Sequence, residues 1–102
     1  MGYFTIALSV DSTATLKDDS SITVNVQVIS IEHFDGNVYL NYWSTPDADY
    51  IDPASDMVYV PKSGTTNTTV NVEVPTGETV VFEAFGTGDD ESTGSATIDL
   101  TG

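Results

Sequence analysis

The 102-residue chain reads as all-β, two antiparallel sheets packed as a sandwich of about seven strands. Three observations carry this reading. Apolar residues recur at every second position in segment after segment, and almost nowhere at the three- and four-residue spacing of a helix. Gly, Pro, Asn and Asp punctuate the chain at short intervals, as strand-connecting turns require. No stretch offers a helix of useful length, and several short alternating strands in a chain of this size fit a sandwich better than a barrel. Residues 1–102 are expected to form one domain, because a chain of this length buries roughly two-thirds of its unfolded surface and needs no metal or disulfide to support its core.

Each element follows from the pattern. The first strand sets Phe4, Ile6, Leu8 and Val10 on one face. Residues 11–21 are polar and hold the turn signal Lys17-Asp18-Asp19-Ser20. The second strand alternates Ile22, Val24, Val26 and Val28 with Thr23, Asn25 and Gln27, so one side is buried and the other wet. Asp35-Gly36 marks the connection to a third strand from Val38 to Trp43. Thr45 to Asp56 carries two prolines and four aspartates, which excludes a central strand and reads as a loop. Strands resume at Met57 to Val60 and at Thr68 to Val74, joined through Lys62-Ser63-Gly64. Pro75-Thr76-Gly77 turns the chain into Thr79 to Gly86, an acidic loop runs from Gly86 to Gly94, and Ser95 to Thr101 closes the domain.

Charge separates function classes before any motif is considered. Sixteen Asp and Glu face two lysines, Lys17 and Lys62, for a formal net charge of −14. Two cations cannot neutralise a run of phosphates, so neither nucleic-acid binding nor docking to an anionic membrane has an electrostatic basis. The longest apolar runs are a few residues, far short of the roughly 20 that a membrane-spanning helix needs. Without cysteine there is no disulfide, thiolate metal site or Cys nucleophile. A chain so uniformly acidic repels itself at ordinary ionic strength and is relieved at molar salt, where the Debye length falls to about 3 Å. Its preference for Asp over Glu, its scarcity of lysine and its abundant threonine resemble proteins of salt-adapted organisms and their viruses.

The stretches Met57 to Val74, Thr79 to Gly86 and Gly94 to Leu100 resemble bacterial-type immunoglobulin-like (fibronectin-like) domains of surface proteins and of tailed-virus structural proteins. The features shared are a strand ending in Val60-Pro61 with Gly64 beyond it, a Thr-rich alternating strand, Ala84 after alternating apolar residues, and Ala96-Thr97 leading to Leu100. The resemblance implies an immunoglobulin-like sandwich and names no partner. A weaker likeness is to Calx-β domains, through Asn41-Tyr42-Trp43-Ser44-Thr45 and Asp49-Tyr50, and it implies calcium binding at Asp49. That family's acidic cluster between the late strands has no counterpart, since Val74 leads directly into Pro75-Thr76-Gly77-Glu78.

Few constellations suggest chemistry. His33 is the sole histidine, stands just before Asp35-Gly36 and has no motif that supplies a nucleophile or an oxyanion donor. Phosphoryl transfer lacks a Gly-rich loop and any arginine. The expectation is a protein that is not an enzyme. Asp47, Asp49, Asp52 and Asp56 lie within ten residues and offer the hard oxygen ligands calcium prefers, although the spacing is not that of an EF-hand loop. They form the candidate metal site; Asp89, Asp90 and Glu91 are a lesser one, and no other cofactor is expected. If Val38, Leu40 and Tyr42 point inward, Tyr39 and Trp43 are left on the opposite face. There they either bind a partner or lie beneath the long loop. Asn67-Thr68-Thr69 is an N-glycosylation acceptor sequence in a turn-like setting.

These observations converge on a structural or attachment protein. The chain begins at a methionine with no basic stretch of a signal peptide behind it, and is expected to be a whole gene product. The expected setting is the virion of a virus from a saline habitat, as a capsid-decoration or tail protein that packs with protein partners and with copies of itself. The alternative is an immunoglobulin-like adhesin or cell-surface repeat that binds glycan or protein, with or without calcium.

Overall fold

The structure, a computed structural model, describes residues 2–10, 21–46, 50–75 and 77–101. Among these residues the fold is all-β, with eight strands in two four-stranded antiparallel sheets. The strands are β1 (Tyr3–Val10), β2 (Ser21–Ile31), β3 (Gly36–Thr45), β4 (Tyr50–Asp52), β5 (Ser55–Val60), β6 (Thr65–Glu73), β7 (Thr79–Gly88) and β8 (Thr93–Thr101). The first sheet has the order β1-β2-β6-β4 and the second β5-β3-β7-β8. The two-sheet sandwich read from the alternation is therefore present.

Seven of the strands sit where the period-two pattern places them, each a little longer than its apolar core. The eighth corrects the reading of residues 45–56 as loop throughout. Tyr50-Ile51-Asp52 pairs with Glu73, Val72 and Asn71 at the end of β6, with Ile51 turned toward the core. It occupies a sheet edge, where one side of the strand needs no partner, and Pro53 follows it directly. The expected turn at Asp35-Gly36 also shifts. The reversal is made by Glu32 and His33, which adopt positive φ of 50° and 75°, and Gly36 already begins β3.

The two inner faces form one core. From the first sheet come Phe4, Val24, Val26, Val28, Val70 and Val72; from the second come Val38, Leu40, Tyr42, Val80, Phe82 and Ala84. β-branched residues dominate because their restricted side chains pack well on a pleated surface. Close approach is decisive at Gly86, where a Cβ would lie 3.0 Å from both Phe4 Cε2 and Val38 Cγ1. The Phe4 ring occupies that space and packs against Phe34 at a centroid distance of 5.4 Å.

Buried Ser30 ties two connections together. Its Oγ donates to the Phe34 carbonyl at 2.7 Å, and its N–H donates to the Gly64 carbonyl at 2.9 Å. The loop between β7 and β8 is fixed to β3, because Asn37 N–H donates to Asp89 Oδ2 at 2.9 Å and Asp89 N–H donates to the Asn37 carbonyl at 3.0 Å. Both arrangements hold the start of β3 in place, and β3 carries the centre of the site described next.

Candidate functional site

The inward turn of Val38, Leu40, Tyr42 and Ser44 sends Tyr39, Asn41 and Trp43 to the outer face of the second sheet. Tyr39 is 51% exposed and Trp43 41% exposed, so neither is covered. The same alternation in β5 buries Val60 and turns Met57 and Tyr59 outward, exposed by 51% and 55%. In β7 it turns Val81, Glu83 and Phe85 outward.

Register assembles these side chains into one surface. Tyr59 stands opposite Asn37, Met57 opposite Tyr39, Phe85 opposite Asn41, Glu83 opposite Trp43 and Val81 opposite Thr45. The Trp43 and Phe85 rings lie 6.5 Å apart, tilted by 39°. Four aromatic rings and a methionine thus cross β5, β3 and β7, spanning from Asn37 to Trp43, about 20 Å of extended chain. Large apolar side chains contiguous on the outside of a sandwich mark an interaction surface, whereas isolated ones do not.

Carboxylates border this surface. Tyr59 Oη donates to Asp35 Oδ1, and this hydrogen bond pushes the Tyr59 hydroxyl above its usual titration range. At the other end Glu83 stands beside Trp43, and Asp99 on β8 stands opposite Val81. Lys62, in the Pro61 to Gly64 turn, is the only Lys or Arg among the described residues. The outer face of the first sheet differs in kind. There Thr23, Asn25, Gln27, Asn67, Thr69 and Asn71 form a polar, uncharged centre, with Tyr3 on one edge strand and Tyr50, Asp52 and Glu73 toward the other.

Of the four aspartates offered as metal ligands, Asp47 and Asp49 lie outside the described residues. Asp52 and Asp56 are placed on different sheets, Asp52 opposite Asn71 and Asp56 opposite Leu40. Asp52 hydrogen-bonds to Tyr50 and pushes that hydroxyl up. Asp56 faces the interior, where Oδ2 accepts from Thr68 Oγ1 at 3.1 Å across the sheets and Oδ1 accepts from the Met57 N–H at 2.8 Å. Among the described residues no group of three or more acidic or histidine side chains is placed to hold a metal ion. The lesser acidic group is organised as a turn. Asp90 Oδ1 accepts from Ser92 Oγ and N–H, and these bonds hold its carboxyl below the usual range.

One further position differs from the sequence reading. Asn67 lies in the middle of β6 opposite Gln27, exposed on a sheet face and not in a turn. His33 is exposed on the turn itself. The sequence reading missed Met57, Tyr59 and Phe85 as members of the aromatic surface. The signal was available in the alternation of Met57 and Tyr59 with Val58 and Val60, but which strands lie beside β3 is a tertiary fact.

No family model matches the chain, and no curated protein does. Among solved structures the chain is similar to a lipoprotein from Bacteroides thetaiotaomicron, with 12% identity and a TM-score of 0.58 over 97% of this chain and 79% of that one. It is also similar to the cupredoxin domain of amoB from Nitrosocaldus yellowstonii, with 13% identity and a TM-score of 0.49 over 81% and 57% of the two chains. The first likeness identifies the β-sandwich fold and nothing finer.

Proposed function

We propose that this protein is a non-enzymatic attachment module that binds through the outer face of β5, β3 and β7. The observation that carries the reading is the contiguous exposure of Tyr39, Trp43, Met57 and Tyr59 on one sheet. Tyr and Trp are the residues that most often dominate binding energy, because they offer large, rigid area at low entropic cost. A rigid sheet presents them without further ordering.

The strand order supports an immunoglobulin-like, fibronectin-like sandwich. Leaving β4 aside, three strands, β1-β2-β6, pack on four, β5-β3-β7-β8, with the chain crossing between sheets after β2, β5 and β6. The setting we favour is an outer assembly: the shell or tail of a virion from a saline habitat, as the acidic balance suggests. A cell envelope is the second reading, and it is compatible with a lipoprotein among the proteins that share the fold.

The test is a side-by-side screen of the wild type and a Tyr39→Ser/Trp43→Ser variant against arrayed peptides and oligosaccharides. Ligands held by the wild type and lost by a variant with an unchanged circular dichroism spectrum are expected. Ligands held equally by both, or none held by either, would sink the proposal.

A further inference from the structure

The aromatic face carries a second pattern, in the placement of its charges. Trp43 and Glu83 are directly opposed on β3 and β7, which puts their Cβ atoms about 5 Å apart on the same side of the sheet. A carboxylate beside an indole gains nothing from the negative face of the ring. A cation that covers both gains twice, by ring attraction and by ion pairing. Tyr59 and Asp35 repeat the pairing at the far end of the stripe, joined by the Tyr59 hydroxyl. The two pairs are separated along β3 by the distance from Asn37 to Trp43, about 20 Å.

We infer that the occupant of this face is a protein surface or peptide presenting two basic side chains, preferably arginine, one over Trp43 and Glu83 and one beside Tyr59 and Asp35. The inference rests on the reading of this face as a binding site and adds the chemistry of the partner. Charge complementarity selects it. At low ionic strength a net charge of −14 attracts a basic partner over long range. It repels acidic glycans and a second copy of this chain. Between the two anchors Tyr39, Met57 and Phe85 supply an apolar strip along which the stems of long basic side chains can lie. Arginine suits the anchors better than lysine because its planar guanidinium stacks on a ring while it pairs with a carboxylate.

Trp43 is the only tryptophan, so intrinsic fluorescence reads this face directly. The probe is hepta-arginine, whose terminal residues are about 20 Å apart when extended. Hepta-glutamate and cellohexaose serve as comparisons. A saturable fluorescence change with hepta-arginine at low salt is expected, and binding should weaken by about tenfold or more in 0.5 M NaCl as the attraction is screened. Glu83→Gln and Asp35→Asn should each weaken it about fivefold, the scale of one exposed ion pair with a ring contact. Glu73→Gln removes the same charge from the first sheet and should change it by less than about twofold.

Equal weakening by Glu73→Gln would mean that the peptide reads net charge and would overturn the inference. So would a response to cellohexaose without one to hepta-arginine, although that outcome would leave the face as a binding site. Binding of hepta-arginine unchanged in Tyr39→Ser, read by Trp43 fluorescence, and in Trp43→Ser, read by calorimetry, would overturn both the inference and the reading beneath it.

Discussion

Among the described residues, Tyr42 is the one whose environment is least satisfied. Its ring stacks on Phe82 in the core, at a centroid distance of 5.7 Å, while its hydroxyl is buried with no hydrogen-bond partner among the described residues. A buried, unpaired polar group costs about 1–3 kcal/mol. Tyr42→Phe keeps the ring and removes the orphan, and is expected to raise stability by about 1 kcal/mol, measured by urea denaturation. Burial pushes the hydroxyl well above its ordinary 10.0, and Asp56 adds to the shift. The folded state thus holds this proton more tightly than the unfolded state. The resulting stability is complete below pH 10 and is lost as pH rises above it. The wild type is expected to lose stability steeply in that range, and Tyr42→Phe to lose much less, in thermal melts between pH 9 and 12.

At the scale of the strand, β3 separates the core from the proposed binding face by residue parity. Leu40 is buried between the sheets while Tyr39, its neighbour, is half exposed. Leu40→Ala is expected to cost about 2–5 kcal/mol through the cavity it leaves. Tyr39→Ser, whose side chain lies outside the core, should shift stability by about 0.5 kcal/mol or less. Denaturant midpoints that fell equally for both variants would contradict the assignment of faces. Strand β7 offers the complementary test. Gly86→Ala would set a methyl 3.0 Å from Phe4 and Val38 and 3.1 Å from Leu40. The core must shift to admit it, at an expected cost of about 1–3 kcal/mol in the same measurement. Most strands were legible because each buries one face, and burying one face imposes a period of two. β4 was not, because the three residues Tyr50–Asp52 are too few to show a period, and its pairing with Glu73, Val72 and Asn71 depends on where β6 ends.

At the scale of the whole molecule, the acids are confined largely to connections and strand ends. Glu32, Asp35, Asp89, Asp90 and Glu91 lie in turns, while β1, β2 and β3 carry no charge at all. Self-repulsion therefore acts between loops, across solvent, where salt screens it well. Raising NaCl from 10 mM, where the Debye length is about 30 Å, to 1 M, where it is about 3 Å, is expected to raise the melting temperature. A melting temperature that stayed constant or fell would show that the net charge does not limit stability. The same screening governs self-association. Light scattering is expected to find monomers at low salt, with any oligomer forming only when the repulsion between two copies of −14 is suppressed.

The amino-acid sequence by itself determined the all-β class, the inner face of each long strand and the net charge of −14. These are local or additive properties, since alternation is read within a strand and charge is summed along a chain. It also placed Tyr39 and Trp43 on the outside of β3, because parity follows from which of their neighbours are aliphatic. Only the tertiary structure decided that Met57, Tyr59 and Phe85 join them, that Glu83 and Asp35 border the surface, and that Asp52 and Asp56 part to different sheets. Those facts depend on which strands become neighbours and in what register. Neighbours and register are fixed by the collective packing of two inner faces, which no single segment encodes.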